Sequence, residues 1–276
     1  MKKEFEKIKV IVCDIDGTIV DETREIHQVT VDKINELRDM GYVFALASGR
    51  PVRDLLDKYE EWKVDRQFDF IIGLNGVELY DNKTGKTESY KMLRKEWIKD
   101  IIGEMISFDP VIGMYVGNEY WCSLRTERSA FSAYKSRRTF AAKELPDFYV
   151  EDRGGIMFRM KLEIMPEVEK VLDRINSEER GYKGFKTQTD LVEFANAEAN
   201  KGYALKMFCD KYGYELDECL AFGDTTNDNE MLKCCHGVCL KNGSDDTKAC
   251  AEYITDKTDK EDGFVDFIDK YVLNND

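Results

Sequence analysis

The sequence predicts an α/β protein, a parallel sheet core with helices on both faces, interrupted by an inserted α+β domain. Three observations carry that expectation. Short apolar runs at residues 8–13, 43–47, 68–72 and 219–222 each stop at a polar turn, the pattern of strands buried on both faces. Stretches with helical spacing separate these runs, and a strand–turn–helix–strand order is how a parallel sheet is covered. From residue 84 to residue 190 the pattern changes. Residues 156–164 alternate there, with Ile156, Phe158, Met160 and Leu162 on one face and Arg159, Lys161 and Glu163 on the other, as in an antiparallel sheet with helices on a single side. The expected organisation is a discontinuous core of residues 1–83 and 191–276 with an insert of residues 84–190. At roughly 150 residues per domain, a chain of 276 residues suits two domains.

In chain order, the first run opens onto Asp14-Ile15-Asp16-Gly17-Thr18. Val31, Ile34, Leu37 and Arg38 follow at helical spacing, with Thr30 placed as N-cap and Gly41 as the stop. The second run ends in Ser48-Gly49-Arg50-Pro51, and Pro51 suits the first turn of another helix. The third ends in Gly73-Leu74-Asn75-Gly76. In the insert, Leu93, Trp97, Ile101 and Met105 predict a helix over 91–108, residues 111–116 and 119–124 read as strands, and Pro166 opens a helix carrying Val168, Val171, Leu172 and Ile175. Lys201-Gly202 then precede a helix through Leu205, Phe208, Cys209 and Tyr212, stopped by Gly213. The strand at 219–222 ends in Gly223-Asp224-Thr225-Thr226-Asn227-Asp228, before a helix through Met231 and Leu232. Residues 238–240 and 253–255 are the last short strands, and Phe264, Phe267, Ile268 and Tyr271 mark a closing helix.

Composition limits the function. Fifty-five acidic residues against 41 basic ones leave a net charge of −14, and 35% of residues are charged. That balance argues against nucleic acid, whose phosphates demand a basic face, and against docking on an anionic membrane. Hydrophobic residues at 42%, with 12% aromatics, suffice for a core without staples. No run approaches 18 apolar residues, and the N-terminus alternates charge without an apolar stretch of signal-peptide type. The eight cysteines include no Cys-x-x-Cys pair and read as reduced thiols of a cytoplasmic protein.

In a parallel α/β sheet the ligand site lies beyond the carboxyl ends of the strands. Four such ends carry Asp14 with Asp16, Ser48-Gly49, Lys201, and Asp224 with Asn227 and Asp228. Each has an ordinary structural role open to it: a polar turn, a helix cap, a solvated lysine, carboxylates at a helix N-terminus. Together, and in order, they suggest chemistry. Asp14, Asp16 and Asp224 form a hard oxygen cluster that would repel itself without a cation, for which Mg2+ is the natural partner. The Ser48 hydroxyl, the Gly49 amide and the Lys201 ammonium are donors for a tetrahedral anion. Metal and donors around one phosphoryl group are the means of phosphoryl transfer.

On these residues the chain resembles the haloacid dehalogenase superfamily, specifically the Cof-type phosphatases with a large C2 (type IIB) cap. The matching stretches are residues 12–18, 47–51, Asn75-Gly76, 200–202 and 222–232. The resemblance implies a Rossmann-like catalytic core and a C2-type cap that sits over the strand ends and selects the substrate. It implies Asp14 as nucleophile and Mg2+ ligand, forming an aspartyl-phosphate. Asp16 would be general acid and base with its backbone carbonyl on the metal, and Asp224 the third metal ligand. Ser48, Gly49, Lys201, Asn227 and the Ile15 amide would hold the phosphoryl oxygens, and Asp228 would orient the metal shell. The substrates implied are small phosphorylated metabolites, either sugar phosphates or phosphorylated cofactors.

Two positions depart from the family pattern: Thr225 stands where Gly, Asn or Ser is usual, and Val77 where Ala is usual. Both bear on pocket shape. The cluster Cys234, Cys235, His236 and Cys239 fits no common zinc spacing, and relatives carry small buried residues there. His27 reads as a surface residue rather than a base. Residues 121–143 hold Arg125, Arg128, Lys135, Arg137, Arg138 and Lys143 against Glu127. A solvated basic helix face is the favoured reading, ahead of steering of anionic substrates. A phosphomutase or phosphotransferase would share the Asp14 chemistry while excluding water. A receiver-like switch would share the Asp cluster but leave the insert unexplained. No Walker A sequence and no Gly-x-Ser-x-Gly elbow occurs.

Overall fold

Alternation across a pleat builds the first part of the chain. The computed structural model describes residues 5–23 and 25–273. Its strands and helices are β1 (Val10–Asp14), α1 (Gln28–Asp39), β2 (Val43–Ala47), α2 (Lys58–Glu61), β3 (Phe70–Gly73), β4 (Glu78–Asp81) and β5 (Lys86–Ser89). Along β1, Ile11 and Cys13 face α1 and the C-terminal helix, while Val10 and Val12 face the opposite layer. Every residue of β1 is buried, which is why the run shows no polar alternation. α1 starts three residues earlier than expected: His27 takes the N-cap position and Thr30 is buried inside the helix. Pro51 precedes a single 3₁₀ turn, Val52–Asp54, rather than an α-helix.

The insert follows as α3 (Lys95–Met105), β6 (Val111–Val116), β7 (Glu119–Cys122), α4 (Glu127–Lys135), β8 (Thr139–Ala142), β9 (Ile156–Arg159), α5 (Met165–Ser177), β10 (Tyr182–Gln188) and β11 (Leu191–Asn196). Its sheet runs β10-β11-β9-β6-β7-β8 and is antiparallel except between β7 and β8. α3 and α5 cover one face through Ile98, Ile101, Val168 and Leu172 against Ile112, Phe158 and Phe194. The expectation of helices on a single side fails at α4, where Ala133 packs with Tyr120 and Cys122 on the other face. A helix that buries only Ser129 and Ala133 leaves little apolar signal in the sequence. Leu162 is exposed, because the chain leaves the sheet after Arg159 and turns through Leu162–Ile164.

The chain then returns as α6 (Lys201–Tyr212), β12 (Cys219–Gly223), α7 (Asn229–Cys234), β13 (His236–Cys239), α8 (Asp245–Cys250), β14 (Tyr253–Ile254) and α9 (Gly263–Phe267), the last continuing as a π-helical turn through Leu273. One sheet of order β14-β13-β12-β1-β2-β3-β4-β5 results, parallel through β3 and antiparallel at β4 and β5. α1 and α9 cover one face and α6 and α7 the other. This is the predicted α/β core with helices on both faces.

Two contact-defined units result: Met1–Tyr90 with Asn200–Asp276, and Lys91–Ala199. The divisions fall later than the sequence suggested. Residues 84–90 stay with the first unit because β5 hydrogen-bonds along β4. Residues 191–199 stay with the insert because β11 lies between β10 and β9. Its apolar Leu191-Val192 start resembles a core strand, yet it is an interior strand of the antiparallel sheet.

Candidate active site

The first sheet has a topological switch point. From β1 the chain steps outward through β2 and β3, and later outward on the other side from β12 through β13 and β14. The connections leave in opposite directions from the carboxyl ends of β1 and β12, which opens a crevice there. Asp14 is the last residue of β1, and Asp224 follows directly on β12. Carboxylate oxygens of Asp14, Asp224 and Asp228 all lie within 4.8 Å of one another, and all three residues are buried.

Lys201 is the countercharge. Its Nζ donates to Asp14 Oδ1 at 2.5 Å and to Asp228 Oδ1 at 2.6 Å, and Lys201 and Asp228 are fully buried. A cation on the first residue of a helix opposes the helix dipole, so these two carboxylates are what holds it there. Asn200 caps the same helix by accepting from the Tyr203 amide at 2.8 Å, and Phe208, two turns on, stacks on Phe70 of β3 with centroids 3.7 Å apart. Asp228 spends its second oxygen on the backbone: Oδ2 accepts from the amides of Asp224 and Thr225 at 3.0 and 3.2 Å. It thereby fixes both Lys201 and the loop that presents Asp224.

Asp224 accepts from the Thr18 hydroxyl at 3.4 Å. Gly17 has φ +86°, and a Cβ there would stand 2.3 Å from Asp224 Oδ2. Glycine is required on both counts. Asn242, at the end of a further strand, donates from Nδ2 to the Gly17 carbonyl at 2.8 Å and accepts from the Asp259 amide at 2.9 Å. Thr18 belongs to the sequence motif but was given no role there, and Asn242 was not singled out. The signal for Asn242 was its place just past β13, at one more strand end.

The second strand end lies beside Asn75. Ser48 is buried, its hydroxyl accepts from the Arg50 amide at 3.2 Å, and its carbonyl accepts from the Asn75 amide at 3.0 Å. A Cβ on Gly49 would lie 3.3 Å from the Asn75 carboxamide. Asn75 adopts φ +52°, a conformation Asn tolerates better than most residues. Its Oδ1 accepts from Asn227 Nδ2 at 3.0 Å, while Asn227 Oδ1 accepts from the Thr225 hydroxyl at 2.7 Å. Thr225, a departure from the family pattern, therefore orients Asn227. Gly76, at φ +103°, leaves room for the Asn200 carbonyl, which a Cβ would approach to 2.0 Å.

Not every predicted residue joins the cluster. Asp16 is half-exposed, and its carboxylate turns to Arg50 Nη2, 2.6 and 2.7 Å away. Ile15 is buried, and its carbonyl accepts from the amides of Thr18, Ile19 and Val20, shaping the turn after Asp14. His27 bridges Asp262 at 2.8 Å and Asp21 at 3.6 Å, a structural clamp. Among the described residues no Cys or His enters a cluster with metal-ligand spacing. The basic stretch of the insert is only partly a solvated face. Arg138 is buried, donates to the Gly117 and Ser136 carbonyls and lies 4.5 Å over Tyr115; Arg128 pairs with Asp190 at 3.0 Å; Lys143 lies 4.3 Å over Trp121.

The electrostatics ask for a cation. Burial pushes Asp14 up to about 8 despite the opposing pull of Lys201, with Asp228 and Asp224 adding to the rise. Burial, then the charge of Asp228, pushes Asp224 up to about 7. Burial disfavours the Lys201 charge, but Asp14 and Asp228 outweigh it and hold its pKa above the usual lysine value. With all three carboxylates ionised, one ammonium would leave two negative charges in a buried site. Oxygen donors alone, with that residual charge, match a hard divalent cation such as Mg2+.

Comparisons with known proteins identify the family and the fold. The model of the haloacid dehalogenase-like hydrolase family matches residues 11–268. The 5-amino-6-(5-phospho-D-ribitylamino)uracil phosphatase YitU of Bacillus subtilis is 24% identical over 266 residues, covering 95% of this chain and 97% of its own. The crystal structure of TM0651 from Thermotoga maritima superposes with a TM-score of 0.82 at 21% identity, over 95% of this chain and 97% of that one. The subclass IIB sugar phosphatase BT4131 superposes with a TM-score of 0.77 at 19% identity, over 95% and 98%. From its motifs, its fold and a match along nearly its whole length, the chain belongs to the haloacid dehalogenase-like hydrolases.

Proposed function

We propose that this chain, a phosphatase like its relatives, is Mg2+-dependent and hydrolyses small phosphorylated metabolites through an aspartyl-phosphate on Asp14. The buried Asp14–Asp224–Asp228 cluster, with Lys201 as its one internal countercharge, is the observation that carries the reading. Asp14, Asp224 and the backbone carbonyl of Asp16 would hold the cation, with Asp228 steadying the shell from behind through Lys201 and the Asp224 amide. When bound, Mg2+ would keep Asp14 ionised at neutral pH and neutralise phosphoryl oxygens.

The chain's own residues do the rest. Asp14 attacks phosphorus in line, and the bond from phosphorus to the leaving oxygen breaks. Lys201, the Ser48 hydroxyl, the amides of Ile15 and Gly49 and the Asn227 carboxamide hold the phosphoryl oxygens. Asp16, released from Arg50 and taking up a proton from solvent, gives that proton to the leaving oxygen. It then takes one from the water that attacks phosphorus and frees Asp14. The unit carrying these residues is the catalytic core, and Lys91–Ala199 corresponds to the cap. The names of YitU, a 5-amino-6-(5-phospho-D-ribitylamino)uracil phosphatase, and BT4131, a sugar phosphatase, support small phosphorylated metabolites as the substrate class.

A screen of phosphorylated metabolites for released phosphate, run with and without EDTA, tests this reading. Phosphate release that stops on chelation and returns with Mg2+ is expected. A rate indifferent to EDTA would exclude the cation, and phosphate passed to a second sugar instead of water would replace hydrolysis by transfer.

A further inference from the structure

Thr225, Asn227 and Asn75 form a chain of hydrogen bonds from the end of β12 to the end of β3, and the chain has a direction. It starts at the Asp228 amide, which can only donate and is shared between the Thr225 carbonyl, at 2.8 Å, and the Thr225 side chain. A hydroxyl that accepts there has its own proton to give, and Thr225 Oγ1 donates it to Asn227 Oδ1 at 2.7 Å. With its oxygen occupied, Asn227 turns Nδ2 to Asn75 Oδ1 at 3.0 Å. Each link sets the sense of the next. The last group in line, Asn75 Nδ2, has no hydrogen-bond partner among the described residues.

The backbone holds that donor at the strand end of β2. Asn75 has φ +52°, and its amide donates to the Ser48 carbonyl at 3.0 Å. Its carboxamide lies so close to Gly49 that a Cβ there would stand 3.3 Å from both Nδ2 and Oδ1. The unpartnered N–H groups therefore lie beside Ser48 and Gly49, two of the residues assigned above to the phosphoryl oxygens.

We propose that Asn75 is a further ligand of the phosphoryl group, donating from Nδ2 to one of its oxygens, and that Thr225 is a positioning residue that aims Asn75 through Asn227. The inference rests on the phosphatase reading and adds a residue to it. Asn227 keeps one N–H for the same anion, and Asn75 brings two. Neutral amide donors stabilise charge that builds on those oxygens without competing with Lys201 for the carboxylates.

Competitive inhibition by orthovanadate, turnover of para-nitrophenyl phosphate and half-saturating Mg2+ are measured for the native enzyme, Asn75→Gly, Thr225→Val and the double variant. Glycine tolerates the positive φ and valine keeps the shape of threonine, so both single variants should fold. Asn75→Gly should weaken orthovanadate and lower kcat/KM roughly ten- to a hundredfold, and Thr225→Val roughly three- to tenfold, with half-saturating Mg2+ unchanged. The double variant should lose less than the product of the two, because Thr225 acts in part through the group already removed. Native orthovanadate inhibition in Asn75→Gly, native values in Thr225→Val, or a double variant equal to the product would overturn the proposal. So would a shift in half-saturating Mg2+ alongside that of the anion, the mark of a disturbed Gly76–Asn200 contact. A native enzyme that releases no phosphate would overturn the phosphatase reading, and this inference with it.

Discussion

Asp14 sits where a carboxylate is hard to keep ionised, and Lys201 alone does not keep it so. Replacing Asp14 by Asn should lower turnover of para-nitrophenyl phosphate by roughly four to six orders of magnitude with the fold intact by circular dichroism. Asp16→Asn should behave differently. Para-nitrophenolate leaves without a proton, so the first step survives while the second stalls. A rapid-mixing trace should show a burst of one product per enzyme followed by almost no turnover, and a linear trace at the native rate would remove Asp16 from the mechanism. Lys201→Met leaves Asp14 and Asp228 buried and uncompensated, and should cost about 3–5 kcal/mol in urea unfolding. The sequence made Asp14 and Asp16 visible because they stand at and just past the end of β1; Lys201, expected at a strand end as well, instead opens α6 after its cap Asn200. The sequence could not show that Asp16 rests on Arg50, since that contact depends on a side-chain rotamer, not on spacing.

Elements deliver these residues through close backbone approaches. Gly76 lies against the residue that caps α6, so Gly76→Ala should push Asn200 away and carry Lys201 with it. We expect a stability loss above about 1 kcal/mol and a fall in kcat of roughly one to two orders of magnitude, both measurable on one purified variant. In the insert, Arg138→Gln should lower the melting temperature without changing KM, because Arg138 holds carbonyls of its own unit; a rise in KM alone would restore the steering reading. Strands buried on both faces were legible as apolar runs, and the stops at Gly41 and Gly213 as glycines. β11 was not assigned correctly, because its first residues share the apolar character of a core strand. α4 was not placed, because it meets its sheet through Ala133 and Ser129 rather than large apolar groups. The Gly76–Asn200 approach joins positions far apart in the chain, and no local pattern announces it.

At the scale of the molecule, a net charge of −14 argues against nucleic acid as a partner, while three of the acidic residues form a buried site. Its pH dependence follows. Asp14 and Asp224 hold their protons in the folded state well above 3.8, where the unfolded chain releases them. The metal-free protein is therefore favoured at low pH by these two groups, and that contribution is lost as pH rises from about 4 towards about 8. Mg2+ should offset the loss, so melting temperatures with and without it should diverge as pH rises; curves that stay parallel would contradict a cation at this cluster. Among the described residues no helix is long and apolar enough to cross a membrane. The central claim is that Asp14 carries the phosphoryl group. Mixing the enzyme and Mg2+ with radiolabelled phosphate ester, quenching in acid within the first turnover and mapping the peptides tests it most directly. The account predicts the label on the peptide containing Asp14 and none in Asp14→Asn; label elsewhere, or complete turnover with no labelled peptide, would contradict it.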